Sequence, residues 1–377
     1  MTFCICLAIV CICLAIEKIR LSRWLTAIPL RLHVYGTRGK TTTTRSLFTA
    51  LKESDHVVLG KTTGDSPIIL LPDGSERTLR RIGPASIRET LRCLEAAYAR
   101  QCDAVVFECM AISPESIAAI NAILSPTHLI VTNTRPDHYE TMGATPRAIA
   151  ETLALCVPPS CTVFATEDAG IAPVRDRARA FGNPFHGIPE KEQAPFLQSR
   201  DMVEAVARIL PLAPYAPEPE STSWPEFRPY PLQNGGIFWF LDLFSANDVV
   251  SSAMLLEKAL PDGPNTDAAA TPLVALLATR PDRPLRTRAF VEWLDTARCR
   301  GLFAGHVAMG WHAPYAYGAM KRKSPALPVL PIAYPMLPPA RLLGKLRERF
   351  GGGFRLVGVG NAHDYGALFR TFLHRRS

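Results

Sequence analysis

Residues 32–44, Leu-His-Val-Tyr-Gly-Thr-Arg-Gly-Lys-Thr-Thr-Thr-Thr, constrain the fold more than any other stretch of the chain. An apolar run with the character of a strand meets a glycine-lysine-threonine corner, and residues 44–51 then carry helical spacing. Gly36 and Gly39 allow a turn tight enough to aim several backbone N–H groups at one anion, and the following helix presents its positive dipole end there. In such a loop Lys40 reaches the terminal phosphates and the Thr41 hydroxyl ligates Mg²⁺. Val34 stands where a full Walker A loop has its first glycine, so the same residues also suit an ordinary strand-to-helix turn.

A chain of 377 residues is long enough for two domains with separate cores. With 47% of residues hydrophobic and 20% charged, the composition is that of a globular protein rather than a disordered one. The net charge of +8 comes from arginines that recur singly. Without lysine-rich blocks or interleaved aromatics they do not form a nucleic-acid surface, and an anionic substrate or an anionic membrane face accounts for the excess. Four of the ten cysteines (Cys4, Cys6, Cys11, Cys13) lie in the apolar N-terminus, and the other six form no C-x-x-C pair. They read as reduced structural thiols of a cytoplasmic body, and His33, His128 and His306 form no metal-ligand spacing with them.

Residues 3–16 are uninterruptedly apolar, and Glu17, Lys18, Arg20 and Arg23 follow. As a helix the run extends about 20 to 25 Å, somewhat short of a hydrocarbon core of about 30 Å, with Leu21, Trp24 and Leu25 as an interfacial extension. A cleaved signal peptide carries its positive charges before the apolar run. The bias here predicts a single-pass membrane anchor with the catalytic body in the cytoplasm. A buried N-terminal helix is the alternative.

A second glycine-bounded turn, residues 60–64 with Thr62 and Thr63, ends a short strand from Val57. On a parallel sheet it opens toward the same crevice as the first, whereas alone it reads as a surface turn. Residues 72–74 read as a hairpin tip, and residues 86–100 as a helix with Ser86 as N-cap and Glu89 completing a capping box. The apolar strand 103–110 holds Glu108 near its end, where either Mg²⁺ or an arginine would compensate its charge. Strand 129–133 runs into a polar loop in which Asn133, Asp137 and His138 crowd together. A proline-rich segment from residue 211 onward reads as a linker. Beyond it come strands 236–243 and 272–278, a helix 249–260, a helix from Arg286, a strand near Leu302 and a last strand 354–359. Residues 311–338 yield no assignment. The expected organisation is α/β: a membrane and juxtamembrane segment (1–28), an ATP-binding domain (29–210), a linker (211–234) and a smaller Rossmann-like α/β domain (235–377).

Seven short motifs stand in order: G-T-R-G-K-T from Gly36, G-K-T-T-G from Gly60, E-C-M-A from Glu108, D-H-x-x-x-M-G from Asp137, S-A-N-D from Ser245, R-x-D-R from Arg280 and G-V-G-N-x-H from Gly358. Together they resemble the ligase subunit of poly-γ-glutamate synthase, the PgsB/CapB family, which is related to Mur ligases and folylpolyglutamate synthases. The resemblance implies a P-loop, Mur-ligase-like central domain with ATP and Mg²⁺ as cofactors. It implies that Gly36, Thr37, Arg38, Gly39, Lys40, Thr41 and Thr42 bind ATP, that Thr41, Glu108 and His138 hold Mg²⁺, and that Lys40, Glu108 and His138 are catalytic. It further implies that Thr62 and Thr63 face the γ-phosphate and acceptor. Arg228, Asp242 and Asn247 fall, on a looser alignment, where the C-terminal domain meets the nucleotide. Arg135 and Pro136 depart from the family pattern.

The implied reaction is an amide ligation. A carboxylate takes the γ-phosphoryl of ATP, and an amine attacks the acyl phosphate to leave a γ-glutamyl amide, ADP and phosphate. Glutamate or a γ-glutamyl chain is the expected substrate, with other membrane subunits of a synthesis and export complex as partners and no nucleic acid. A Mur- or folylpolyglutamate-type ligase with a different acceptor, and a non-catalytic nucleotide-binding subunit of a membrane assembly, are the alternatives.

Overall fold

The computed structural model describes residues 2–63, 67–81, 86–111, 113–135, 142–143, 145–190, 195–210, 212, 225–232, 235–260, 271–323 and 336–375. The chain forms two units, Met1–Thr222 and Ser223–Ser377.

The first unit contains α1 (Thr2–Ala27), β1 (Leu30–Tyr35), α2 (Lys40–Glu53), β2 (Val58–Lys61), β3 (Ile68–Leu70), β4 (Glu76–Thr78), α3 (Arg88–Ala99) and β5 (Ala104–Glu108). It continues with α4 (Pro114–Leu124), β6 (His128–Val131), α5 (Pro146–Ala154), β7 (Thr162–Glu167), α6 (Ala172–Ala180), β8 (Phe185–Pro189) and α7 (Pro195–Ile209). Its sheet runs β4-β3-β2-β5-β1-β6-β7-β8. The six strands from β2 to β8 in that order are parallel, and β3 and β4 extend the sheet as an antiparallel hairpin turned at Gly74. Continuous apolar strands suit a sheet covered on both faces. Leu32, Val34, Val106, Ile130 and Phe164 pack on one side with residues of α2 and α7. Tyr35, Leu129, Val131 and Val163 pack with α4, α5 and α6, and Leu59, Val105 and Phe107 with α3. This winding leaves the loops after β1, β2, β5 and β6 at the carboxyl edge of one sheet, where open α/β sheets bind ligands.

Helix α1 differs from the expected single-pass anchor. Among the described residues no helix is long and apolar enough to cross a membrane. The physical reason is length: the charge-free run ends at Ile16, and at ~1.5 Å per residue it falls short of a ~30 Å hydrocarbon core. Its apolar side chains are nonetheless exposed, from Ile5 and Leu7 to Leu14 and Ile16. The far end of the helix docks on the unit: Leu21, Trp24 and Leu25 pack with α3, Arg20 pairs with Glu95 at 2.5 Å, and Arg31 grips the Ile28 carbonyl at 2.6 Å.

The second unit contains β9 (Arg228–Pro231), β10 (Ile237–Asp242), a 3₁₀ turn (Phe244–Ala246), α8 (Val249–Ala259), β11 (Leu273–Thr279), α9 (Pro284–Leu294), α10 (Ala297–Leu302), β12 (Gly305–Gly310), α11 (Ala313–Lys323), α12 (Pro339–Phe350), β13 (Gly353–Val359) and α13 (Tyr365–His374). Its sheet runs β12-β11-β13-β10-β9, parallel except for the antiparallel edge strand β9. Two expectations need correction. Strand β9 lies inside the segment read as linker, because Pro229 and Pro231 are tolerated on an edge strand. The strand expected near Leu302 is helix α10, whose Thr296 hydroxyl caps the Cys299 N–H at 3.4 Å, and the strand follows at Gly305. Part of the unassigned stretch 311–338 is α11.

Candidate nucleotide and metal site

The turn between β1 and α2 is shaped by two glycines and held by the neighbouring strand. Gly36 has φ +117°, and a Cβ there would lie 2.1 Å from the Thr132 hydroxyl. Gly39, at φ +75°, opens α2, and its carbonyl accepts the first helical hydrogen bond from Thr43 N–H at 2.9 Å. Strand β6 lies beside β1, so the residues just beyond it reach the loop. The Thr132 hydroxyl meets the Arg38 carbonyl at 2.6 Å and the Tyr35 carbonyl at 3.1 Å. Asn133 acts as a clamp. Its Oδ1 accepts from the Thr37 hydroxyl (2.7 Å) and the Arg38 N–H (3.2 Å), and its Nδ2 donates to the Arg38 carbonyl (3.0 Å). The loop is thus fixed before any ligand arrives, with the N–H groups that open α2 at its mouth.

Lys40 bends back over this loop, its Nζ donating to the Gly36 carbonyl at 2.7 Å and the Thr37 carbonyl at 3.4 Å. Phosphate oxygens can replace those carbonyls on the same ammonium. Glu108, at the end of β5, is 5% exposed. Its Oε2 accepts from the Thr41 hydroxyl at 2.9 Å and from the Thr63 N–H at 2.9 Å. One carboxylate therefore joins the loops after β1, β2 and β5. Thr62 turns the other way: it is buried, and its hydroxyl accepts from Ile68 N–H at 3.2 Å beside the hairpin. Thr42 follows on the first turn of α2.

The Thr41 hydroxyl and the Glu108 carboxylate are hard oxygen donors of the kind Mg²⁺ prefers, and both already converge on one point, so the residues fit a divalent cation. Asp137 and His138 lie outside the described residues. Among the described residues no three His, Cys, Asp or Glu side chains form a metal-binding group.

Asp168, just after β7, was not legible as a site residue. It accepts from the Thr134 N–H and, at 2.6 Å, from the Thr134 hydroxyl, and from the Gly170 N–H at 3.1 Å. It thereby fixes the start of the loop leading to residues 137–138. The signal used for Glu108, a carboxylate closing an apolar strand, falls here on Glu167, the last residue of β7, and so does not single out Asp168 beside it.

In the second unit, Asp242 ends β10 in a two-point ion pair with Arg370, at 2.6 and 2.8 Å. Asn247 sits at φ 58° and accepts from Arg286 at 3.2 Å, and the same guanidinium nitrogen donates to Asn361 Oδ1 at 2.7 Å. Asn361 in turn donates to the Ala278 carbonyl at 3.0 Å. Arg286 thus joins Asn247, beyond β10, to Asn361, beyond β13, while Asp242 closes β10. Arg228 is exposed on the edge strand, opposite Phe240. Sequence reasoning missed Arg286, and it had Asn361 in a motif without a role.

Residues 34–200 match the family model of the Mur ligase middle domain, and residues 228–376 match that of the poly-γ-glutamate synthase CapB C-terminal domain. The chain is thus similar to a Mur ligase middle domain in its first part and to a CapB C-terminal domain in its second. The first match includes the β1–α2 loop and Glu108, and the second includes Asp242, Asn247 and Asn361. The chain is 31% identical over 137 residues to the capsule biosynthesis protein CapB of Bacillus anthracis (36% of this chain, 30% of that protein). It is 32% identical over 155 residues to PGA synthase CapB of Bacillus subtilis strain 168 (40% and 39%). These alignments span less than two fifths of the relatives' own length. Among solved structures, E. coli FolC in complex with DHPP and ADP has a TM-score of 0.58 at 14% identity, covering 95% of this chain and 92% of that one. MurF from Acinetobacter baumannii has a TM-score of 0.60 at 12% identity, covering 96% and 80%. The α/β fold is therefore that of Mur ligases and folylpolyglutamate synthases, as the motif order led one to expect.

Proposed function

We propose that the protein is an ATP-dependent amide ligase that forms γ-glutamyl amide bonds in poly-γ-glutamate synthesis for a capsule. The carrying observation is the single carboxylate of Glu108 shared by the Thr41 hydroxyl and the Thr63 N–H beside a preformed phosphate loop. The CapB relatives and the CapB C-terminal domain supply the substrate class, glutamate or a γ-linked glutamate chain.

The residues suit this chemistry. The loop N–H groups and Lys40 hold the γ-phosphoryl group of ATP and take up charge on its oxygens as a substrate carboxylate oxygen attacks phosphorus and ADP leaves. The amine of the next glutamate attacks the acyl carbon, phosphate departs, and loss of a proton leaves the amide. Thr41 and Glu108, with His138 as the third expected ligand, would hold Mg²⁺, which neutralises phosphate charge. Thr63 faces this centre through its N–H, and Thr62 supports it from the hairpin side. Arg228, Asp242 and Asn247 are the CapB-type unit's proposed contribution to the nucleotide.

Membrane attachment belongs to the same reading. The exposed apolar run of α1, followed by Lys18, Arg20 and Arg23, suits the boundary of a bilayer, where polymer passes to other membrane subunits. Flotation with anionic vesicles, with and without residues 1–16, tests this: both forms remaining unbound refutes it.

The test of the activity is release of ADP and phosphate with glutamate or γ-glutamyl oligomers present. Turnover is expected to require the acceptor and to fall by about 10²–10³ in Lys40→Ala. Acceptor-independent turnover refutes the substrate, and unchanged activity in Lys40→Ala refutes the site.

A further inference from the structure

Lys61 ends β2 and is 1% exposed, a rare place for an ammonium group. Its Nζ lies 3.3 Å from Glu89 Oε2 and 3.7 Å from the Met110 sulfur. Glu89 is itself held by Arg81, at 2.8 and 3.1 Å, and accepts the Ser86 N–H at 3.3 Å, so the expected capping box is half-formed around it. Burial alone would raise the Glu89 carboxyl, but the Arg81 hydrogen bonds, the Lys61 charge and the Ser86 N–H together hold it below its ordinary value. The Glu89 carboxylate is therefore held in its charged form.

A buried ion pair is a poor source of stability, because apolar residues of like volume commonly serve as well or better. Its position is more informative. Lys61 directly precedes Thr62 and Thr63, whose N–H holds Glu108, and Met110 lies two residues beyond Glu108. The ammonium thus touches the β5 loop and the start of α3 from the end of β2, beneath the point where Thr63 meets the carboxylate.

We propose that Lys61 is a positioning residue of the metal and phosphate site, locking the β2 turn against the β5 loop so that Thr63 N–H holds Glu108 in one orientation toward the cation. This rests on the nucleotide-ligase reading. The role is structural at one remove: Lys61 touches neither phosphate nor metal, and its effect passes through the Thr63–Glu108 bond.

The experiment uses the full chain with Lys61→Met, Lys61→Arg and Glu89→Gln. Three measurements are made: Mn²⁺ binding in the presence of ADP, read from the electron paramagnetic resonance of free Mn²⁺; amide hydrogen exchange at Thr63 without nucleotide; and thermal unfolding. Lys61→Met is expected to weaken Mn²⁺ binding by about 10- to 100-fold and to speed exchange at Thr63, with unfolding little changed. Lys61→Arg recovers part of both. If Lys61→Met does not fold, Glu89→Gln, which weakens the hold on the ammonium, carries the same two readouts. Wild-type Mn²⁺ affinity together with unchanged Thr63 exchange in the folded variant overturns the proposal. Failure of the unaltered protein to bind Mn²⁺ with ADP overturns the nucleotide reading instead, while Thr63 exchange still decides whether Lys61 sets the turn.

Discussion

His306 gives the second unit a defined weakness to acid. It lies on β12, 1% exposed, with the Phe303 ring edge-on at 5.7 Å, and neither ring nitrogen has a hydrogen-bond partner among the described residues. Burial pushes its pKa down to about 4, against a smaller opposing pull from Asp295. In the unfolded chain the imidazole titrates near 6.5, so between those values the unfolded state binds more protons and stability rises with pH. The contribution is complete above the unfolded pKa and is lost as pH falls toward about 4. Between pH 7 and pH 5 the shift amounts to a loss of ~2 kcal/mol from this one side chain. His306→Leu removes the titration while keeping apolar bulk, so the variant should lose ~2 kcal/mol less than the wild type over that interval. Urea unfolding followed by tryptophan fluorescence is the assay, since Trp224, Trp239, Trp293 and Trp311 fall in Ser223–Ser377 and only Trp24 in the first unit. Parallel falls in stability for the two proteins from pH 7 to pH 5 would refute the reasoning.

Two further substitutions probe the loop and its supports. Gly36→Ala places a Cβ against the Thr132 hydroxyl at a φ that side chains avoid, and should cost on the order of 1–3 kcal/mol in thermal unfolding and weaken ADP binding at least ~10-fold by calorimetry. Asp168→Ala strands the Thr134 and Gly170 N–H groups and should lower stability by ~1–3 kcal/mol, with Asp168→Asn recovering part of it because one acceptor oxygen remains.

What could be read from the chain in advance followed from local chemistry. The β1–α2 turn was legible because Gly36 and Gly39 sit where the backbone needs positive φ, and Glu108 because a carboxylate ending an apolar strand demands a partner. Lys61 was not legible. A lysine in a hydroxyl-rich turn reads as a surface residue, and only the folded contact with Glu89, 28 positions on, shows it to be buried. Asn133 was noted as polar, but its grip on Thr37 and Arg38 spans some 95 residues and depends on β6 lying beside β1. Strand β9 was hidden by its prolines, which mark linkers far more often than sheet edges. The short α10 was hidden because six residues do not establish a period.

Helix α7 returns from residues 195–209 to lie against α2, and the Ser199 hydroxyl stands 3.1 Å from where Gly39 would carry a Cβ. The proposed phosphate loop is therefore written near the start of the chain but walled in by its residue-200 region. During synthesis the loop sequence emerges long before the helix that backs it. A nascent chain halted before residue 195 would carry every residue of the G-T-R-G-K-T motif and still lack the surface against which it rests. Competence for nucleotide should then arise as a late event in biogenesis, when α7 leaves the ribosome, rather than when the motif itself appears.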